Sequence, residues 1–161
     1  IKSLKEQKYD MIFCSKSEKE KNIEFIPVSA QKLVLIVPSN HELAKYDSIT
    51  LEQTVEYPQI VFSSKSGLRQ IIDNLFDSIG KKPQITYEIE EDQVIAGLVS
   101  NNFGIAIVPY MPILKFMDLK TIEIKSPTWE RNFYLAVLKD KTLTPIAENF
   151  KSFVIENYTL D

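Results

Sequence analysis

An α/β fold is predicted for this chain of 161 residues, and three observations predict it. Strand-like apolar runs alternate with segments of helical period, the pattern of α/β lobes with largely parallel strand pairing. The stretch Val94 to Pro109 reads as an amphipathic helix, a tight turn, a buried strand and a proline stop. Only four glycines occur, which leaves no room for a flexible interdomain linker, so any two lobes must be joined by ordered strands.

The elements follow in chain order. Ile1 to Glu6 reads as the tail of a helix and runs straight into the strand-like Met11 to Cys14; without an initiator methionine, the chain is expected to be a fragment of something larger. Lys16, Lys19 and Lys21 interleave with Glu18, Glu20 and Glu24, as a solvated loop would. Leu33 to Val37 is the next strand. Two capping-box pairs, Ser39 with Glu42 and Thr50 with Gln53, each start a short helix. Gln59 to Phe62 is a strand, after which Leu68, Ile71, Ile72, Leu75, Phe76 and Ile79 recur at helical spacing, with Ser66 as N-cap and Gly80 as the left-handed C-terminal residue.

Gln84 to Glu88 is extended. A helix from about Glu91 to Asn101 places Val94, Ile95, Leu98 and Val99 on one face, with Glu90, Glu91 and Asp92 at the end where the helix dipole favours negative charge. Asn102 tolerates the positive φ that the turn requires. Strands are expected at Gly104 to Val108, Thr121 to Ile124 and Asn132 to Leu138. The last helix has Thr144 as cap and Pro145 in its first turn, is expected to bury Ile146, Phe150, Phe153 and Val154, and ends near Asn157.

Composition bounds the function. With 44% apolar and 11% aromatic residues the chain has a globular make-up, and a net charge of −3 with no dense basic block argues against this segment gripping nucleic acid. No run is long enough to span a membrane and no secretory signal is visible. A single cysteine, Cys14, excludes an intrachain disulfide and fits a reducing, cytoplasmic setting.

Catalytic motifs are missing: there is no dinucleotide fingerprint, no phosphate-wrapping loop and no nucleophile elbow. One Cys and one His exclude a structural zinc centre of the usual kind, so no metal and no cofactor is expected. Cys14 reads as a half-buried packing residue and His41 as part of the turn after Pro38. The hydroxyl-rich Ser64-Lys65-Ser66 turn leads into a helix N-terminus and could hold an anion, although the plainer reading, that Ser66 merely caps the helix, outweighs it. Ordinary helix electrostatics account for Glu90, Glu91 and Asp92 more simply than a cation site does. Trp129, Phe133 and Tyr134 resemble a stacking platform, yet Phe133 and Tyr134 lie within a strand and are expected to pack.

Tyr9-Asp10-Met11-Ile12, the segment Leu33 to Ala44 with its Pro-x-x-His…Leu-Ala, then Gly67, Arg69, Gly80 and Pro83, the Val94 to Pro109 unit, and Leu135 to Phe153 with its Leu-Thr-Pro helix together resemble the effector-binding domain of LysR-type transcriptional regulators. Glu42 and Asn102 depart from that pattern, standing where proline and glycine are usual. The resemblance implies a type 2 periplasmic-binding-protein-like fold: two lobes joined by two antiparallel crossing strands, about Lys32 to Pro38 and Asn132 to Leu138. It implies a partial near lobe from residues 1–38 and 132–161, a far lobe from 39–131, and a helix-turn-helix DNA reader absent from this chain.

The implied function is sensing of a small metabolite between the lobes, which shifts a DNA-bound homo-oligomer, dimer or tetramer, in the full-length protein. Matching positions for effector contact are Lys32, Val37 and Pro38 and the segment Glu90, Glu91, Asp92 and Gln93; the Ser64, Lys65 and Ser66 turn is added from its anion chemistry. A carboxylate-bearing effector fits Lys65, while the three acids leave the charge preference open. DNA would be met only through the missing N-terminal domain, and no enzyme activity is expected. The competing class is the solute-binding receptor of a transporter, which shares the two-lobed fold.

Overall fold

The structure, a computed structural model, describes residues 1–17 and 20–158. In chain order the helices and strands are α1 (Lys2–Lys5), β1 (Met11–Cys14), β2 (Ile23–Pro38), β3 (Ser48–Thr50), β4 (Pro58–Phe62), α2 (Gly67–Ser78), β5 (Gln84–Ile89), α3 (Asp92–Ser100), β6 (Ala106–Pro109), β7 (Leu119–Ser126), β8 (Glu130–Leu138) and α4 (Pro145–Tyr158). Of the expected charged loop, Glu18 and Lys19 lie outside the described residues.

Two compact units emerge, one of Ile1–Gln31 with Glu130–Asp161 and one of Lys32–Trp129. Lys32 to Pro38, expected with the first lobe, is held in the second unit because this half of β2 is flanked there on both sides. Val34 sits opposite Val108 of β6 on one edge and Glu123 of β7 on the other. A strand in the middle of a sheet covered on both faces needs no polar alternation, which is why all of Leu33–Pro38 is buried.

The expectation of largely parallel pairing is corrected. Of the pairings with a described register, β1–β8, β2–β6 and β2–β7 are antiparallel, while β3–β7 and β4–β5, with the bridge between Gln59 and Ile105, are parallel. Alternation of strands and helices does not reveal the long returns that bring β7 and β8 back against earlier strands. Two strand stretches were also not expected. Ile23–Gln31 contains Pro27, which is tolerated because here β8 is the only partner of β2 among the described residues and one edge stays free. Ser48–Thr50 is too short for a periodic signal.

The second unit has the larger core. Leu35, Ile36 and Val37 of β2, Ile72 and Phe76 of α2, Ile95, Ala96 and Val99 of α3, and Ile105 to Val108 form one cluster, and Trp129 packs on its edge instead of forming a platform. α2 starts at Ser66, whose Oγ accepts from Leu68 N at 3.2 Å, and ends at Gly80 with φ 65°, as the sequence implies. α3 ends on Asn102 at φ 64°, where Phe103 N donates to Leu98 O at 3.2 Å. The face of α3 turned inward is Ile95, Ala96 and Val99; Val94, expected on it, is half exposed.

The capping-box reading is corrected at Ser39. His41 is the N-cap of a short 3₁₀ turn, its Nδ1 accepting from Leu43 N at 3.1 Å, while the Ser39 hydroxyl donates to Asp118. At Thr50 the expected return bond is present, Thr50 N donating to Gln53 Oε1 at 2.9 Å, and the turn is again 3₁₀.

In the first unit β8 carries two small clusters on opposite faces. Ala136 meets Leu4 of α1 and Ile23, and Leu135 meets Ile26 and Val154 of α4. Of the residues that α4 was expected to bury, only Val154 is buried, together with Ala147; Ile146, Phe150 and Phe153 are exposed. The expected stripe Ile146, Phe150, Phe153 and the observed stripe Ala147, Lys151, Val154 have the same spacing and differ by one residue, a rotation of about 100°. Lys151 at the rim of the observed stripe reaches Glu24 Oε2 at 3.0 Å, in keeping with that rotation.

Candidate functional site

Within the second unit β4, β5 and the strand from Ile105 to Pro109 run parallel, so their carboxyl ends lie at one end of the unit. The parallel register puts Phe62 beside Ile89, and Ser63 N donates to Ile89 O at 2.9 Å. The loops leaving these strands, Ser63–Ser66 and Glu90–Glu91, are therefore neighbours, and each opens a helix, α2 and α3. Because β2 is antiparallel to β6 with Leu33 opposite Pro109, Lys32 reaches the same end, and its carbonyl accepts from Tyr110 N at 2.9 Å. Crevices outside the carboxyl ends of parallel strands are where α/β units offer backbone N–H groups and helix N-termini to ligands.

The structure thus brings together Lys32, Ser64, Lys65, Ser66, Glu90, Glu91, Asp92 and Gln93. It does not bring Val37 and Pro38 to them: they lie beside Lys120 and Leu119, five and six residues beyond Lys32 along β2 and roughly 17–20 Å from it at about 3.3 Å per residue. The Val37 side chain is wholly in the core. The family resemblance carried Lys32, Val37 and Pro38 over together; the direction of β2 decides which of them lies beside the loops.

Charge at this end is split. Ser64 and Lys65 are exposed and line a surface pocket of ≈ 350 Å³ at the start of α2. Glu90 and Glu91 are exposed at the start of α3, and Asp92 Oδ1 accepts from Gln93 N at 2.9 Å. An anion is therefore favoured over α2 and opposed over α3. One residue that the site needs was seen in the sequence only through its spacing. Arg69 donates from Nε to Asp73 and from Nη1 to Phe62 O and Glu88 Oε1, each at 3.0 Å, tying α2 to the ends of β4 and β5. Those partners, Glu88 first, raise its pKa further, so it stays charged as a fixed brace. The Arg69–Asp73 spacing of four was legible; the Glu88 contact is tertiary.

Cys14 and His41 take the packing and turn positions that the sequence implies. Burial pushes the Cys14 thiol up, away from the thiolate, and it packs beside Leu4 and Ile23. His41 stands edge-on to Tyr57 with ring centroids 4.9 Å apart, and burial lowers its pKa from 6.5 against a smaller opposing effect of Glu42. A protonated ring cannot accept from Leu43 N. The cap's contribution is therefore present above about pH 6.5 and is lost as pH falls through the lower folded value, a decline bounded by about 1 kcal/mol, the worth of one cap. Chemical unfolding at pH 7 and pH 5 checks this: His41→Asn should flatten the difference. No group of three metal-ligating side chains occurs among the described residues, and none of their helices is long and apolar enough to cross a membrane.

A family model, the LysR substrate binding domain, matches residues 1–159. An uncharacterized HTH-type transcriptional regulator of Bacillus subtilis, YybE, is 30% identical over 99% of this chain and 54% of its own length. The HTH-type transcriptional activator CmpR of Synechocystis is 26% identical over 90% of this chain and 49% of its own. The chain thus spans about half the length of the curated relatives it matches. Among solved structures, the effector binding domain of QuiR in complex with shikimate is 43% identical, with TM-score 0.77 over 96% of this chain and 74% of that one. The regulatory domain of Synechocystis CcmR in complex with 2-PG is 20% identical, with TM-score 0.78 over 96% and 76%.

Proposed function

The chain belongs to the LysR substrate binding domain family, and from that premise we propose that it is the effector-sensing part of a LysR-type transcriptional regulator. The observation that carries this reading is the match along nearly the whole chain to effector-binding domains, one of them 43% identical and solved with a small organic acid, shikimate. The effector of this chain is then a small metabolite, with an acid group favoured by Lys65 and the start of α2. Lys32, Ser64, Lys65, Ser66, Glu90, Glu91, Asp92 and Gln93 are its contacts in the second unit.

Sensing requires only that the effector bind two arrangements of the regulator with different affinity; the population then shifts by that difference. DNA contact belongs to the rest of the full-length protein, where a homo-oligomer responds in the cytoplasm. The domain performs no chemistry on its ligand: Cys14 and His41 are both engaged in packing or capping. Transport-receptor function is disfavoured by the relatives, which are transcriptional regulators.

The test is a thermal-shift screen of the full-length protein against small organic acids, shikimate and 2-PG among them, followed by titration calorimetry. A specific acid should raise the melting temperature, and Lys65→Ala should weaken it about tenfold, the worth of one charge-assisted contact. A full-length protein that no such metabolite stabilises would sink the proposal.

A further inference from the structure

Arg69 leaves the first turn of α2 and ends on three other parts of the second unit. Its Nη1 donates to Phe62 O, the last carbonyl of β4, and to Glu88 Oε1 of β5, each at 3.0 Å. Its Nε donates to both carboxylate oxygens of Asp73, one turn further along α2, also at 3.0 Å. The Arg69 side chain is 14% exposed, against 41% for Asp73 and 45% for Glu88, so the guanidinium is the inner member of the trio. A planar fork makes these bonds in one pose, which the single ammonium of a lysine does not reproduce.

This one residue grips the turn that carries Ser64 and Lys65 at both of its ends. Its side chain holds Phe62 O just before the turn, and its backbone N donates to Ser66 O at 3.1 Å where the turn closes. The same guanidinium holds Glu88, two residues before the Glu90–Glu91 loop. Charge adds a second effect. Asp73 and Lys65 line one surface pocket with Arg69, so an acid group drawn there by Lys65 also meets the Asp73 carboxylate. Arg69 offsets that carboxylate and the one on Glu88 at contact distance, where a charge counts most.

We propose that Arg69 is the positioning residue of the effector site, setting its affinity for an acid by fixing the Ser63–Ser66 and Glu90–Glu91 loops and by offsetting Asp73 beside Lys65. This rests on the effector-sensing reading. Loops fixed before binding cost no ordering when the effector arrives, and a pocket with its acids offset does not repel a carboxylate.

Amide hydrogen exchange and calorimetric titration of shikimate and 2-PG are measured on the full-length wild type, Arg69→Met, Arg69→Lys and Glu88→Ala. In Arg69→Met, residues 63–68 and 88–93 should exchange at least roughly tenfold faster, while residues 33–37 in the core of the same unit keep the wild-type rate. Acid binding should weaken roughly thirtyfold in Arg69→Met and only about fivefold in Arg69→Lys, which keeps the charge and loses the fork. Glu88→Ala, at a half-exposed side chain, leaves Phe62 O and Asp73 on the guanidinium, so it should speed exchange at 88–93 and leave 63–68 within about threefold. Faster exchange throughout the unit would give Arg69 a purely structural role, and faster loops with unchanged acid affinity would separate the brace from binding; both overturn the proposal. A wild type that binds neither acid would remove the effector-sensing reading and this inference with it. That failure is told from the other two because it is seen before any substitution, whatever the exchange pattern.

Discussion

Replacing Gly104 with alanine is expected to cost about 3–5 kcal/mol, a large share of the roughly 5–15 kcal/mol by which a domain is stable. The residue sits at φ 147°, and a Cβ built there would stand 2.7 Å from the carbonyl oxygen of Pro58. Neither side can give way. Pro58 O already accepts from Ile105 N at 3.0 Å, and Ile60 N donates to Ile105 O at 2.9 Å, so the clash falls on two pinned backbones. Gly80→Ala is the control: φ is 65° but nothing lies within 4 Å of the added atom, and the loss should be about 1 kcal/mol. Denaturant unfolding followed by circular dichroism measures both. A Gly104→Ala protein within 1 kcal/mol of the wild type would show that the β4–β6 contact is looser than described, and with it the alignment of strand ends that gathers the candidate effector contacts.

The second large effect concerns the rotation of α4. Val154→Asp should cost about 3–5 kcal/mol, because a carboxylate would be buried among Ile26 and Leu135 with no partner. Phe153→Glu, on the neighbouring residue, should change stability by less than about 1 kcal/mol, since Phe153 is 51% exposed. Thermal melts of the two variants read the helix orientation directly. Equal losses would mean that the stripe through Ile146, Phe150 and Phe153 is also covered in solution.

Much of the candidate site was legible because its residues are local. Ser66 as cap, Lys65 before it, and the acids opening α3 are statements about helix ends, and helix ends are written in three or four consecutive residues. Arg69 was not legible in the same way. Its partner Glu88 is 19 residues away, and no periodicity connects them. Val37 and Pro38 came with the family resemblance, and the direction of β2 among its neighbours places them at the far end of that strand from Lys32.

The sequence by itself determined the alternation of elements, the ends of α2 and α3 at Gly80 and Asn102, the buried run Leu33 to Val37 and, through motifs weak alone and specific together, the family. These rest on local sterics, caps and hydrophobic period, which act over a few residues. Tertiary structure decided which way each strand runs, which of two equally spaced stripes α4 and α3 bury, and which charged side chains meet. Those choices depend on the partner surface presented by distant segments, and a period of 3.6 or 2 fixes only the spacing of a face, leaving open what the face will meet.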